Sequence, residues 1–140
     1  MAIKVRVLYF SPKGKMISFA DAICAKLDCK SDTIPPAYPC ETEGLVIIGA
    51  TVGKEIPNQL RLFCAGLNKT RANNVAFYID GPKEAAAELK NLIFDAKSNP
   101  IDEVYFVKGG LPFKFAKKIS EEERSGIVSW AKNIYDNLNK

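Results

Sequence analysis

Histidine is absent from the sequence. That absence excludes serine–histidine and cysteine–histidine catalysis outright, since both need an imidazole to take the nucleophile's proton. Cysteine is scarce: Cys24, Cys29, Cys40 and Cys64 form neither a CxxC pair nor any zinc spacing, so no metal ligand set is expected. Cys24 and Cys64 fall on predicted buried helix faces, where a thiol behaves as a small hydrophobe. Cys29 and Cys40 are the two able to approach each other, and in a reducing compartment free thiols are expected. Long hydrophobic runs are missing too: nothing approaches roughly 18 uninterrupted apolar residues, so no membrane span is expected. Lys4 and Arg6 lie within the opening strand-like run, which does not resemble a signal peptide, and a soluble cytoplasmic protein is the default. Charge of one sign is also lacking, with 20 Lys and Arg against 16 Asp and Glu for a net +4. The densest basic clusters are Lys13/Lys15 and Lys114/Lys117/Lys118, read either as solvated lysines or as a set facing an anion. Aromatic residues do not interleave with them, so no nucleic-acid partner is expected.

What remains is an ordinary globular composition, 47% apolar and 26% charged over 140 residues, which bounds the chain to one domain, 1–140. The stretch IKVRVLYFSPKGKMISFADAICAKL, Ile3 to Leu27, organises it. An apolar strand-like run through Val5, Val7, Leu8, Tyr9 and Phe10 breaks at Ser11-Pro12-Lys13-Gly14. Apolar residues then recur at Met16, Phe19, Ala20, Ile23 and Leu27, the spacing of one helix face. A strand, a tight loop and a helix N-terminus bring backbone N–H groups to one point, a ready anion site.

Downstream, Ser31 to Ile34 reads as a short edge strand stopped by Pro35-Pro36. Gly44 to Ala50, GLVIIGA, is a continuous apolar run, the mark of a strand buried on both faces. The loop Thr51 to Ile56 precedes a helix with Pro57 in its first turn and Leu60, Phe63, Cys64 and Leu67 on one side. Asn68 to Asn74 is a polar turn, Val75 to Ile79 a strand ending at Asp80-Gly81-Pro82, and Pro82 to Lys97 a helix packing through Ala86, Leu89, Ile93 and Ala96. Glu103 to Val107 is the last strand. After a loop with Phe113 and Phe115, a final helix starts at Ser120, with Glu123 completing a capping box and Ile127, Trp130, Ala131, Ile134 and Leu138 buried.

Alternating strands and helices with two-sided strands predict an α/β fold: a five-stranded parallel sheet between two helix layers, with strand order 2-1-3-4-5. The order reverses between the first and third strands, so a ligand belongs outside the carboxyl ends there, between Ser11–Met16 and Thr51–Glu55, with Asp80–Pro82 as a third wall. Other tenants of this architecture fail on their motifs. Receiver domains need acids where Phe10-Ser11 and Ala50-Thr51 stand, low-molecular-weight tyrosine phosphatases need a cysteine and an arginine framing the first loop, and Gly14-Lys15-Met16 lacks the first glycine and the hydroxyl of a Walker loop.

These segments resemble the flavodoxin-like family. VLYFSPKGKMISFADAICAKL is similar to the family's opening strand, phosphate loop of pattern [ST]-x-[ST]-G-x-[ST] and helix. GLVIIGATVGKEIPNQLRLF resembles the third strand and its loop, VAFYIDGP the fourth, and FVKGGLPFKFAKKISEEERSGIVSW the flavodoxin-domain branch related to menaquinone-dependent protoporphyrinogen oxidase. The resemblance implies a three-layer α/β/α flavodoxin-like fold and FMN as cofactor. Ser11 and Gly14 match the phosphate loop, whereas Lys13 and Met16 stand where hydroxyl residues are usual. Each lost neutral hydrogen bond costs about 0.5–1.5 kcal/mol, and a charged donor from Lys13 or Lys15 offsets this by about 1.5–3 kcal/mol.

The implied cofactor-binding set is therefore Ser11, Pro12, Lys13, Gly14, Lys15 and Met16 at the phosphate, with Thr51, Val52, Gly53, Lys54, Asp80, Gly81 and Pro82 flanking the ring. Neither flanking loop carries an aromatic residue, which leaves Val52, Met16 and Pro82, or Tyr38, Phe113 and Phe115 from neighbouring loops, to meet the flavin. The implied function is electron transfer to a redox partner protein, with no catalytic side chain. Two alternatives stand beside it: a flavodoxin-fold binding or regulatory module without flavin, and a quinone- or nicotinamide-linked oxidoreductase of the same branch.

Overall fold

Nine residues, Glu43–Thr51 (β3), form the central strand, and all but the last are buried. A strand buried on both faces needs partners on both edges and a helix layer above and below. The computed structural model, which describes residues 3–10, 14–107 and 119–139, provides them. Val5–Phe10 (β1) pairs with β3 on one edge and Ala72–Asp80 (β4) on the other, both parallel. Outside β1 lies Lys30–Thr33 (β2), also parallel. Gly14–Leu27 (α1), Asn58–Ala65 (α2), Lys83–Asp95 (α3) and Glu121–Leu138 (α4) cover the faces.

The period of two along each strand sorts the core into two clusters. Leu8, Val46, Ile48, Phe77 and Ile79 point toward α2 and α3, where they meet Leu60, Cys64, Leu89 and Ile93. Val7, Leu45, Ile47, Ala76 and Tyr78 point toward α1 and α4, against Met16, Phe19, Ile23, Ile127 and Trp130. Leu45, Ile47 and Ile48 are wholly buried, each stabilising the fold by about 1.5–3 kcal/mol.

The strand order is 2-1-3-4-5, and the reversal between β1 and β3 falls where the sequence places it. The fifth position differs from the single strand expected at Glu103–Val107. It is filled by two short strands, Asn99–Pro100 (β5) and Tyr105–Phe106 (β6), each parallel to β4. The gap between them lies where side chains from the helix layers take the backbone carbonyls. Lys90 Nζ donates to Asp102 O at 3.2 Å, and Trp130 Nε1 donates to Glu103 O at 3.0 Å.

Other boundaries shift for equally local reasons. Proline stands as the N-cap of both α2 and α3, at Pro57 and Pro82, rather than inside their first turns. The final turn of α3 is closed earlier than Lys97, which takes a left-handed φ of 75° while Ser98 N–H donates to Ile93 O at 3.2 Å. The end of the expected polar turn at 68–74 joins β4 because Ala72 is paired with Glu43 and its carbonyl accepts from Ser98 Oγ at 2.7 Å. The capping box of α4 is present with both bonds, Glu123 N–H to Ser120 Oγ at 3.1 Å and Ser120 N–H to Glu123 Oε1 at 3.0 Å.

Candidate functional site

The parallel strands end together at Phe10, Thr51 and Asp80. Their carboxyl ends and the start of α1 enclose the corner at which the sequence places a ligand. Ser11, Pro12 and Lys13 lie outside the described residues. The chain re-enters at Gly14, the first residue of α1, so the amide groups of this first turn have no partner within the helix.

Two side chains of that turn are directed into the fold. Met16 is 2% exposed and packs in the core between the sheet and the α1/α4 layer. Lys15 is buried, with its Nζ 2.7 Å from Glu123 Oε2 of α4. Burial works against the charge on Glu123, but the Lys15 ammonium and the Ser120 N–H outweigh it and hold the carboxyl below its ordinary range. A carboxylate with a lowered folded pKa adds stability above its unfolded pKa and loses it as pH falls through the folded value. Glu123→Gln should therefore melt below the wild type at neutral pH, and the gap should close as pH drops through the acidic range. Thermal melts of both proteins across pH check this, and a gap constant with pH would contradict it.

Across the corner, Val52 N–H donates to Asp80 O at 3.0 Å and ties the loop after β3 to the end of β4. Gly81 fits under this tie because it has no side chain. A Cβ there would lie 2.4 Å from Val52 O. At Gly53 a Cβ would meet nothing within 4 Å, so that peptide faces open space. Lys54 is exposed, and Pro82 stands at the entrance to α3. Thus Thr51 and Val52 are brought against Asp80 and Gly81, while the ammonium of Lys15 is held at the start of α4.

Thr51 carries the most telling atom of the corner. Its Oγ1 is shut off from solvent and has no hydrogen-bond partner among the described residues. A buried hydroxyl without a partner costs about 1–3 kcal/mol. That oxygen lies at the carboxyl end of β3, beside the switch point. The observation fits a polar cofactor edge held between the β3 and β4 loops.

Behind the corner stands a support that reading the sequence alone missed. Tyr78 is wholly buried, its ring crosses over Gly49 of β3, and its hydroxyl donates to Met16 O at 3.2 Å. Burial pushes this phenol well above its ordinary value, so it remains a neutral donor. It fastens the first turn of α1 to the sheet. Phe19, Tyr105 and Trp130 extend the packing, with ring centroids 6.0 Å from Phe19 to Tyr78, 6.1 Å from Phe19 to Tyr105 and 5.8 Å from Tyr105 to Trp130. The signal available in the sequence was the glycine inside GLVIIGA, since a strand glycine marks a close approach.

Of the aromatics considered for the flavin face, Tyr38 is at the other end of the sheet, lining a groove with Lys4 and Glu43. Phe113 and Phe115 lie outside the described residues. Much of the segment that carries the branch resemblance, 108–118, does too. Among the described residues no three cysteines or carboxylates gather to hold a metal ion. No described helix is long and apolar enough to cross a membrane.

The architecture has a solved counterpart. It is similar to the metal-soaked Flv1 flavodiiron core from Synechocystis sp. PCC6803. The TM-score is 0.68 at 17% identity, over 99% of this chain and 36% of that one. The fold is flavodoxin-like. The chain spans about a third of the length of that protein. No protein-family model matches the sequence, and no curated protein does.

Proposed function

We propose that the chain binds FMN non-covalently at the carboxyl ends of β1, β3 and β4 and serves in electron transfer to a partner protein. The observation that carries this reading is the buried Oγ1 of Thr51 at the switch point, which has no hydrogen-bond partner among the described residues. The flavin, when bound, supplies the redox chemistry, and the protein supplies binding, orientation and electrostatics. Ser11, Lys13 and Gly14 hold the phosphate, with Pro12 shaping the loop. Lys15 and Met16 contribute their backbone at the helix N-terminus, since their side chains are engaged in the fold. Thr51, Val52, Gly53 and Lys54 flank the ring on one side, and Asp80, Gly81 and Pro82 on the other. The flavodoxin-like fold and its flavodiiron counterpart support the same reading.

A second reading, a flavin-free binding or regulatory module, draws on Lys15 and Met16: both first-turn side chains serve packing. Titration of FMN fluorescence with purified protein separates the two. Quenching is expected, and Lys13→Ala should weaken FMN about tenfold while leaving riboflavin affinity unchanged, because only FMN carries the dianion that a charged donor recognises. Colourless protein that leaves FMN fluorescence untouched would favour the second reading. Equal loss for both flavins would remove Lys13 from the phosphate.

A further inference from the structure

At the opposite end of the strands, two cysteines that the sequence spacing did not single out as a pair are in contact. Cys29 and Cys40, the pair expected to approach, are on opposite faces of the sheet: Cys40 is buried with the α2/α3 cluster, and Cys29 packs against the α1/α4 cluster. Cys29 instead meets Cys24, with 3.6 Å between their sulfurs. The cause is the way α1 ends. Asp28 takes a left-handed φ of 54°, and Cys29 N–H donates back to Cys24 O at 3.2 Å, the six-to-one bond of a Schellman ending. That ending juxtaposes the side chains of its first and last residues, normally as an apolar contact. Here both are thiols.

Both sulfurs belong to half-buried residues, and Cys29 lines an open groove of about 580 Å³ at the amino ends of β1, β2 and β3. The groove is of a size that admits a small molecule. Its walls carry both signs, with Lys4, Arg6 and Lys30 beside Asp32 and Glu43. Arg6 stands 3.9 Å from each of those two carboxylates, a loose arrangement. A wall of mixed sign suits a zwitterionic guest.

We propose that Cys24 and Cys29 form a redox-active dithiol that exchanges with low-molecular-weight disulfides bearing carboxylate and ammonium groups, admitted through this groove. The thiolate is the nucleophile in such exchange. The Cys29 S–H, aided by Ser31, lowers the Cys24 thiol below its ordinary value despite burial and the nearby Asp21. The same contact, together with burial, raises the Cys29 thiol above its ordinary value.

The Cys24 thiolate attacks one sulfur of the guest disulfide. The guest S–S bond breaks, and the leaving thiolate takes the proton from Cys29 and departs as a thiol. The Cys29 thiolate then attacks the Cys24 sulfur, forms the internal disulfide and expels the second thiolate, which is protonated by water. The protein loses two electrons and the guest gains them. Closure needs the sulfurs to move from 3.6 Å to about 2.0 Å, a side-chain adjustment at the end of a helix.

The test equilibrates the full chain in buffers of oxidised and reduced glutathione, quenches in acid, alkylates in denaturant and digests with trypsin. Cleavage after Lys26 puts the two cysteines in separate peptides, so the internal disulfide appears as a linked pair. The linked pair is expected as the main oxidised species, forming at about a tenfold lower ratio of oxidised to reduced glutathione than in urea-unfolded chain. In Cys29→Ser, Cys24 should retain glutathione that the wild type releases. A wild type that stops at the mixed disulfide, links through Cys40 or Cys64, or needs the same ratio folded and unfolded overturns the proposal.

Discussion

Replacing Gly49 with alanine is expected to cost about 3–5 kcal/mol, a large share of the roughly 5–15 kcal/mol that holds a domain of this kind together. The Cβ would lie 2.0 Å from Tyr78 Cζ and 2.3 Å from its Cε2 and hydroxyl oxygen. No atom pair tolerates that approach, so the ring has to leave. It has nowhere to go, because Tyr78 is wholly buried under Phe19 and its hydroxyl is bonded to Met16 O. Expelling it forfeits packing comparable to truncating a buried aromatic, about 3–5 kcal/mol. The penalty should be a property of the pair. In a Tyr78→Ala background, Gly49→Ala should cost less than about 1 kcal/mol. Urea denaturation of the four proteins measures the coupling. A Gly49→Ala penalty equal in both backgrounds would show that the ring is not what the glycine makes room for.

The same pair shows what reading residues in order does and does not reach. GLVIIGA is legible as a central strand because continuous apolarity has few other meanings in a chain alternating strands with helices. Once the alternation is read, handedness leaves few strand orders, and the switch point between β1 and β3 follows. What Gly49 makes room for is not legible, because its neighbour across the sheet is 29 residues away in sequence and contacts of that range leave no local signature.

Lys15 makes the point for the site. A lysine in a phosphate-loop position reads as a ligand for an anion until α4 is packed beside it, and then Glu123 is the anion. The capping-box pattern from Ser120 to Glu123 was visible, but not that the same carboxylate would serve a second element through its other oxygen. The cysteines follow the same logic. Their spacing fits no zinc motif, while the contact between Cys24 and Cys29 depends on a left-handed aspartate, a conformation that sequence only weakly announces.

Thr51→Val is expected to act in opposite directions on the empty and the flavin-bound protein. In the absence of ligand, Oγ1 is a buried polar atom with no partner among the described residues, and replacing it with a methyl group of similar size removes a desolvation cost of about 1–3 kcal/mol. The melting temperature of the flavin-free protein should therefore rise. If the flavin is the missing partner, the hydroxyl bonds to it on binding, and valine forfeits both that bond and the pairing of the flavin atom. A loss of about 1.4 kcal/mol corresponds to tenfold weaker binding, and the effect should be at least that large. Thr51→Ser supplies the control, since it keeps the oxygen and loses only a methyl group: FMN affinity should hold within about threefold while stability falls by roughly 1 kcal/mol. Denaturation of the flavin-free proteins together with FMN titration reads both arms. A valine variant that is less stable than the wild type would mean that Oγ1 is satisfied in the folded chain. One that binds FMN as tightly as the wild type would mean that the flavin does not use this oxygen, and the reading of the corner as a flavin site would lose the observation on which it rests.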